Sequence, residues 1–195
     1  MIWTVPNILT LGRLVAAPAM ALPFVLMPRP EADAWALALF VVASLTDWLD
    51  GWLARRLGQE SALGQVMDPI ADKAMVLIAL AVVLGQSPHD AELLLVPIVL
   101  ILFREVAVSG LREAMGGRGG LQVTPLAKWK TTVQMAAIAL LLAAPLVETG
   151  AAGLPSALPG WLGIGLLWVA AVLTLITGAD YAAKAVRVLR RQEEH

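Results

Sequence analysis

Residues 93–111 read LLLVPIVLILFREVAVSGL, an almost unbroken apolar run. A helix that crosses the hydrocarbon core of a bilayer needs about 20 mostly apolar residues, so this run is predicted to be a transmembrane helix. The chain contains five similar runs. We therefore predict an all-α, polytopic membrane protein with a single domain over residues 1–195. The six predicted helices cover approximately Ile8–Met27, Ala34–Ala54, Gly64–Leu84, Leu93–Leu111, Leu126–Val147 and Trp161–Val186.

The composition points the same way. Of the 195 residues, 59% are hydrophobic and 15% are charged, against roughly 25% charged residues in a soluble domain. The formal net charge of −1 gives no field that would attract a nucleic acid. There is no cysteine, and the two histidines are His89 and His195. Disulfides, thiolate sites and histidine clusters are therefore excluded, and any metal would need oxygen ligands.

The positions of Lys and Arg predict the orientation, because short cytoplasmic connections carry the excess of basic residues. The connections on the opposite side contain only Arg29 as a basic residue. Both termini are therefore expected in the cytoplasm, which agrees with an even number of helices. The residues on the basic side are Arg55, Arg56, Arg112, Arg118, Lys128, Lys130, Lys184, Arg187, Arg190 and Arg191.

This topology places several charged residues at membrane depth, where charge is costly and usually serves a function. All of them lie toward the predicted cytoplasmic ends of their helices, so they are expected to form one layer. A proton relay or an ion pore would need polar groups at several depths, whereas a one-sided layer is typical of an active site that opens to the cytoplasm. These residues are Arg13, Asp47, Asp50, Asp68, Asp72, Lys73, Arg104, Glu105 and Asp180.

Four of these charges are aspartates on two consecutive predicted helices. Asp47 and Asp50 are spaced i, i+3, and Asp68 and Asp72 are spaced i, i+4, so each pair lies on one helix face. Because the connection between the helices is short, the two pairs are expected to meet near the cytoplasmic surface. Four carboxylates crowded at low dielectric cannot all stay ionised unaided. Divalent cations would compensate their charge, and such oxygen ligands suit Mg²⁺ or Mn²⁺.

Small and basic residues accompany the aspartates. Gly51 and Ala54 share a helix face with the first aspartate pair, and Gly64 lies one turn before the second. Their small size leaves room for a bulky ligand to approach the backbone, and Arg55 can pair with a phosphate. The alternative interpretation is a buried acidic cluster neutralised by basic residues alone, namely Lys73, Arg104 and Arg13.

The segment from Asp47 to Asp72 has the pattern D-x2-D-G-x2-A-R-x8-G-x3-D-x3-D. It resembles the signature of the CDP-alcohol phosphotransferases at every fixed position and every spacing. The resemblance covers the whole chain, since the family core is also six membrane helices with cytoplasmic ends. It implies that a CDP-linked lipid gives its phosphatidyl group to an alcohol and releases CMP. It also implies a homodimer.

The same resemblance implies roles for individual residues. Two divalent ions would be held by Asp47, Asp50 and Asp68, with Asp72 at or beside the second ion; such a pair can clamp both sides of an in-line phosphoryl displacement. Asp72 is also the family's candidate for the general base that takes the proton of the attacking hydroxyl. The residues that would line the cytidine diphosphate site are Gly51, Ala54, Arg55 and Gly64.

Basic residues flank the fourth and fifth predicted helices on the same cytoplasmic side. Such a cluster beside a metal site suits an acceptor that itself carries phosphate, because Arg binds phosphate bidentately and Lys binds it as a point charge. The alternatives are topology determination alone for Arg112 and Lys128, and an ion pair with Glu105 or a site aspartate for Arg104. The candidates for binding the acceptor's phosphate are Lys73, Arg104, Arg112, Lys128, Lys130, Thr131 and Gln134.

Four further segments are similar to one branch of the family, the bacterial phosphatidylglycerophosphate synthases. This similarity implies sn-glycerol 3-phosphate as the acceptor, with its primary hydroxyl as the nucleophile. Asn7, Thr10 and Arg13 would help to close the nucleotide site, although Asn7 is also explained as a cap of the first helix. The four segments are Pro6–Arg13, Arg104–Arg112, Lys128–Gln134 and Asp180-Tyr181.

The resemblance therefore implies a multi-pass enzyme of the bacterial inner membrane whose active site faces the cytoplasm. Its expected partners are CDP-diacylglycerol, sn-glycerol 3-phosphate and the surrounding membrane lipids. One rival interpretation keeps the chemistry and changes the acceptor to inositol phosphate or phosphatidylglycerol. A second is a divalent-cation carrier, which is disfavoured because the outer halves of the predicted helices contain almost only Ala, Val, Leu and Ile. A third is an intramembrane aspartyl protease, which would need two catalytic aspartates and not four.

Overall fold

The computed structural model of the chain describes residues 4–57, 61–114, 125–148 and 157–193. These residues form helices and contain no strand, so the all-α prediction is confirmed. A short 3₁₀ turn, Pro88–Asp90, precedes the fifth α-helix. The α-helices are α1 (Val5–Ala19), α2 (Pro23–Leu26), α3 (Glu31–Leu57), α4 (Ala62–Gln86), α5 (Ala91–Ala114), α6 (Pro125–Glu148) and α7 (Leu158–Glu193).

The first predicted helix is interrupted, and the prediction of one helix over Ile8–Met27 is wrong. Helix α1 ends at Ala19, and α2 begins at Pro23 after a turn. Pro23 has no backbone N–H to donate, and its ring clashes with the carbonyl four residues earlier, so it cannot continue α1 but is well placed as the first residue of a new helix. The 15 residues of α1 extend only about 22 Å along the helix axis.

Among the described residues, three helices are long and apolar enough to cross a membrane. The qualifying segments are Ala91–Arg112, Trp129–Glu148 and Leu158–Arg187, in α5, α6 and α7. Prolines lie inside helices at Pro69, Pro97 and Pro145, a feature that membrane helices tolerate more often than soluble ones. The chain is therefore a helical membrane protein, whereas the count of six spans stays a prediction.

The chain forms two compact units. The first comprises residues 1–88 and 138–161, and the second comprises residues 89–137 and 162–195. In the first unit, α1 lies against both α3 and α4, and α2 lies against α3. The buried face of α1 is partly polar and consists of Pro6, Asn7, Thr10, Arg13 and Ala17.

Two side-chain caps define where the helices of the first unit begin. The Asn7 N–H donates to Thr4 Oγ1 at 3.4 Å, so Thr4 rather than Asn7 caps α1. Ser61 caps α4, because its Oγ accepts from the Gly64 N–H at 3.0 Å. Each cap satisfies an N–H that has no partner within the helix.

An ion pair secures the connection between α2 and α3. Arg29 donates from Nε and Nη2 to the two carboxylate oxygens of Asp33, at 2.8 and 2.7 Å, and from Nη1 to the carbonyl of Gln86 at 3.0 Å. The hydrogen bond with Asp33 raises the pKa of Arg29 above its usual value, so this guanidinium stays charged. Arg29 thus ties the start of α3 to the end of α4.

Candidate active site

Three of the predicted aspartates meet at one guanidinium. Arg13 Nη1 donates to Asp72 Oδ1 at 2.6 Å and also to Asp47 Oδ1. Its Nη2 lies 3.7 Å from Asp68 Oδ1. The Arg13 side chain is 2% exposed, whereas the three carboxylates are 46–50% exposed. A buried cation therefore lies beneath a half-exposed group of carboxylates brought together from α3 and α4.

Helix α1 supplies a second contact to this group. Thr10 Oγ1 lies 2.7 Å from Asp68 Oδ1 and 3.0 Å from the carbonyl oxygen of Pro6, and it can donate its hydrogen to either. Thr10 is 1% exposed. Because Thr10 and Arg13 are three residues apart on one helix, they present their polar groups to the aspartates from the same face.

The first turn of α4 is packed closely against α1. Ser61 Oγ donates to Asn7 Oδ1 at 2.9 Å. A Cβ placed at Gly64 would lie 2.9 Å from Asn7 Oδ1 and 3.2 Å from Ser61 Oγ. The sequence suggested that Gly64 leaves room for a ligand; the structure shows that its missing side chain makes room for Asn7.

Several predicted residues of this site lie outside the described side chains. These are Asp50, Ala54 and Arg55, through which the backbone of α3 continues. Gly51 lies in α3, one turn after Asp47. The predicted roles of these residues, and of Asn7, Thr10 and Arg13 in binding the nucleotide, stay predictions.

The donor chemistry of the site suits a hard divalent cation, since the three described aspartates offer carboxylate oxygens only. In the part of the chain that the structure describes, no group of three or more Asp, Glu or His side chains is arranged to hold a metal ion. The carboxylates instead converge on Arg13. The ligand atoms of these residues are therefore of the type that binds such a cation. In the structure, however, the carboxylates are arranged around Arg13.

A second polar cluster occupies the other unit, between α5, α6 and α7. Lys130, which is 4% exposed, pairs with Glu105 Oε1. Arg104 Nη1 donates to the same oxygen at 3.1 Å. The structure therefore shows the ion pair between Arg104 and Glu105, and Glu105 is shared by two cations. Binding of the acceptor's phosphate by Arg104 stays a prediction.

Arg112 belongs to this cluster through Tyr181. Arg112 Nη2 donates to Tyr181 Oη at 3.1 Å, and the guanidinium carbons of Arg104 and Arg112 lie 5.8 and 5.7 Å from the centre of the Tyr181 ring. The other acceptor-site candidates lie on α4 and α6. Gln134 is buried and Thr131 is exposed on α6, Lys73 is half-buried on α4, and the Lys128 side chain lies outside the described residues.

Sequence reasoning missed Ser61, Thr177 and Gly178, and it missed the sharing of Glu105 between two cations. Ser61 carries a readable signal, since a serine just before a helical segment is a typical cap. The shared role of Glu105 depends on Lys130, 25 residues further along the chain, and no local pattern shows such a pairing. Thr177 and Gly178 of α7 contact Arg104 and carry no signal beyond an ordinary helix interior.

Comparison with known proteins defines the class of this fold and site. A family model described as CDP-alcohol phosphatidyltransferase matches residues 3–176. The chain belongs to this family.

Individual relatives narrow the comparison further. A protein of Cereibacter sphaeroides named CDP-diacylglycerol–glycerol-3-phosphate 3-phosphatidyltransferase is 46% identical, over 98% of this chain and 99% of its own length. An Escherichia coli protein of the same name is 38% identical over 94% of this chain and 95% of its own length. An Arabidopsis thaliana protein is named CDP-diacylglycerol–glycerol-3-phosphate 3-phosphatidyltransferase 1, chloroplastic/mitochondrial. It is 36% identical over 96% of this chain and 64% of its own length.

Proposed function

We propose that the chain transfers the phosphatidyl group of CDP-diacylglycerol to the primary hydroxyl of sn-glycerol 3-phosphate. The oxygen of that hydroxyl forms a bond to the lipid-linked phosphorus, and the bond from this phosphorus to the bridging oxygen breaks. CMP leaves with the electron pair, and the hydroxyl proton passes to a base. The products are phosphatidylglycerol phosphate and CMP.

The observation that carries this proposal is the similarity of nearly the whole chain to a protein named for this activity. The two sequences are 46% identical over 98% of this chain. The local geometry supports it, because the signature segment folds so that Asp47, Asp68 and Asp72 meet at one place. The chain therefore has both the motif and the convergence of carboxylates that the motif predicts.

Asp47, Asp50, Asp68 and Asp72 are the residues that would hold Mg²⁺ or Mn²⁺, two ions by family resemblance. Bound there, the ions would neutralise the pyrophosphate and assist the departure of CMP. Asp72 is half-exposed on α4, and we assign it the role of accepting the hydroxyl proton. Arg13 fixes the orientation of Asp47 and Asp72 through its shared Nη1.

The remaining predicted residues would bind the two substrates. Arg104, Arg112 and Lys130 supply positive charge for the phosphate of the acceptor, together with Lys73, Lys128, Thr131 and Gln134. The nucleotide part of the lipid donor would contact α1, α3 and the first turn of α4. The residues proposed for that contact are Asn7, Thr10, Arg13, Gly51, Ala54, Arg55 and Gly64.

The proposed setting is the bacterial inner membrane, with six spans, both termini in the cytoplasm and the active site on the cytoplasmic face. The three apolar helices support insertion in a membrane, and the basic residues of the proposed cytoplasmic connections support the orientation. The chain is proposed to act as a homodimer, surrounded by membrane lipids.

The test is CMP release by purified protein in detergent with CDP-diacylglycerol and Mg²⁺. Release should require sn-glycerol 3-phosphate and should stop when EDTA removes the metal. Asp72→Asn should lower kcat by about 10²- to 10⁴-fold, the usual contribution of a general base. Asp90→Asn is the matched control on the turn before α5 and should leave kcat unchanged.

Two results would change the assignment. Release only with inositol phosphate or phosphatidylglycerol would keep the chemistry and replace the acceptor. Absence of release with every alcohol, from folded protein, would reject the enzyme and favour the cation carrier.

A further inference from the structure

Arg104 lies flat against α7 at Gly178. A Cβ placed at Gly178 would lie 3.1 Å from Arg104 Cγ and 4.0 Å from Arg104 Nε. A contact of 3.1 Å is tighter than van der Waals contact allows without a shift, and the arginine stem lies here on the helix surface itself. Gly178 therefore determines the path that the Arg104 side chain takes across α7.

Thr177 fixes the far end of the same side chain. Its hydroxyl donates to the carbonyl of Leu173 at 2.8 Å or of Thr174 at 3.1 Å. Because the hydroxyl hydrogen is used on the backbone, Thr177 Oγ1 meets Arg104 Nη2 as an acceptor, at 3.4 Å. Thr177 is 2% exposed, so this acceptor does not exchange its partner for bulk water.

Tyr181 joins Arg104 to the second arginine. Tyr181 is 3% exposed, and the centre of its ring lies within 6 Å of both guanidinium carbons, a distance at which a ring face attracts a cation. Its hydroxyl accepts from Arg112 Nη2. One aromatic side chain thus holds two cations that are eight residues, or about two helical turns, apart on α5.

The described residues of this cluster carry an excess of positive charge. Its described members are three cations, Arg104, Arg112 and Lys130, and one carboxylate, Glu105. Arg104 Nε is buried and has no hydrogen-bond partner among the described residues. An anion with several oxygens would balance the surplus charge of the three cations.

We propose that Thr177, Gly178 and Tyr181 form a cradle on α7 that positions Arg104 and Arg112 to bind the phosphate of the acceptor. The three residues are positioning residues, because they act through the two arginines. This inference rests on the proposed function, since it deepens the account of how the acceptor is bound.

The experiment measures KM and kcat for both substrates in purified Gly178→Ala and Tyr181→Phe. Gly178→Ala should raise KM for sn-glycerol 3-phosphate by about tenfold or more, the factor that one displaced charge-assisted hydrogen bond represents. Tyr181→Phe removes the hydroxyl and keeps the ring, so its rise should be smaller, about threefold. KM for CDP-diacylglycerol should change by less than about twofold in both variants. The residues proposed to bind this substrate lie on α1, α3 and α4, and substitutions at independent sites do not affect one another.

Gly165→Ala is the matched control. Gly165 lies on the same helix, and a Cβ there would meet nothing within 4 Å, so both KM values should stay at those of the unmodified chain. Glycerol as an alternative acceptor adds a second readout. Because glycerol has no phosphate, the preference of the chain for sn-glycerol 3-phosphate over glycerol should fall in the cradle variants and persist in Gly165→Ala.

Three outcomes would overturn the cradle. One is an unchanged KM for sn-glycerol 3-phosphate in folded Gly178→Ala and Tyr181→Phe. The second is an equal rise in KM for both substrates, and the third is equal loss of activity toward both acceptors. In each case the unmodified chain still uses sn-glycerol 3-phosphate, so the proposed function survives; a chain that releases no CMP with this acceptor would reject both.

Discussion

At the scale of single residues, the charge balance of the aspartate cluster depends on Arg13. The spacing of Asp47, Asp68 and Asp72 predicts that the carboxylates converge, and the structure brings them together. The sequence also suggested Arg13 as one of three cations that could neutralise these carboxylates. Among the cations that the structure describes, Arg13 is the one shown in contact with them. That selection could not be predicted, because it depends on how α1 packs against α3 and α4.

Replacing Arg13 should destabilise the chain most when no divalent cation is present. Arg13→Gln removes the positive charge and leaves neighbouring carboxylates to repel one another. Loss of one partner of a buried ion pair costs about 3–5 kcal/mol; because these carboxylates are half-exposed, we expect about 1–3 kcal/mol. Thermal unfolding in EDTA measures this, and added Mg²⁺ should recover part of the loss.

The control for Arg13 is Lys184→Gln. Lys184 forms an exposed pair with Asp180, four residues earlier on α7, and such pairs contribute about 0–1 kcal/mol. Equal unfolding temperatures for the two variants in EDTA, or equal stabilisation of both by Mg²⁺, would contradict the role given to Arg13.

At the scale of elements, the helices α3 to α7 begin and end within a few residues of the apolar runs, with one larger exception. Helix α7 continues to Glu193, seven residues beyond the predicted Val186, because hydropathy follows the apolar core and not the polar extension of a helix. The interruption between α1 and α2 reflects Pro23, and the approach of α1 to α4 reflects Gly64. Neither the helix break nor the close approach can be predicted from runs of apolar residues.

The close approach of α1 to α4 gives a direct prediction. Gly64→Ala places a methyl group 2.9 Å from Asn7 Oδ1, and such overpacking costs about 1–3 kcal/mol. The unfolding temperature and CMP release should both fall, because α1 carries Thr10 and Arg13 to the aspartates. Combining Gly64→Ala with Asn7→Ser, which shortens the opposing side chain, should restore part of the stability.

Gly85→Ala is the comparison on the same helix. A Cβ at Gly85 would meet nothing within 4 Å, and alanine is the better helix former, so this variant should be neutral or slightly more stable. A loss of stability in Gly85→Ala as large as that in Gly64→Ala would mean that the contact with Asn7 is not the cause.

For the whole molecule, the sequence predicts six spans from its apolar runs and the orientation from its basic residues, and labelling from either side of the membrane measures this topology. The absence of cysteine makes single-cysteine labelling clean. His89→Cys, in the connection before α5, should react with a membrane-impermeant maleimide in intact bacteria. Arg56→Cys, near the end of α3, should react only after the inner membrane is permeabilised.

Labelling of both positions from the same side would contradict the proposed topology, since the predicted helix Gly64–Leu84 separates them. Protection of His89→Cys with exposure of Arg56→Cys would instead reverse the orientation. Each variant should first be shown to release CMP, so that the labelled molecules are folded.

In the proposed reaction, the acceptor's own hydroxyl oxygen forms the new bond to the lipid-linked phosphorus. Mass spectrometry of the products made from sn-glycerol 3-phosphate labelled with ¹⁸O in its primary hydroxyl tests this claim most directly. We expect phosphatidylglycerol phosphate that retains the label, formed in equal amount with unlabelled CMP. Labelled nucleotide together with phosphatidic acid would show attack on the other phosphorus and would contradict the proposed reaction.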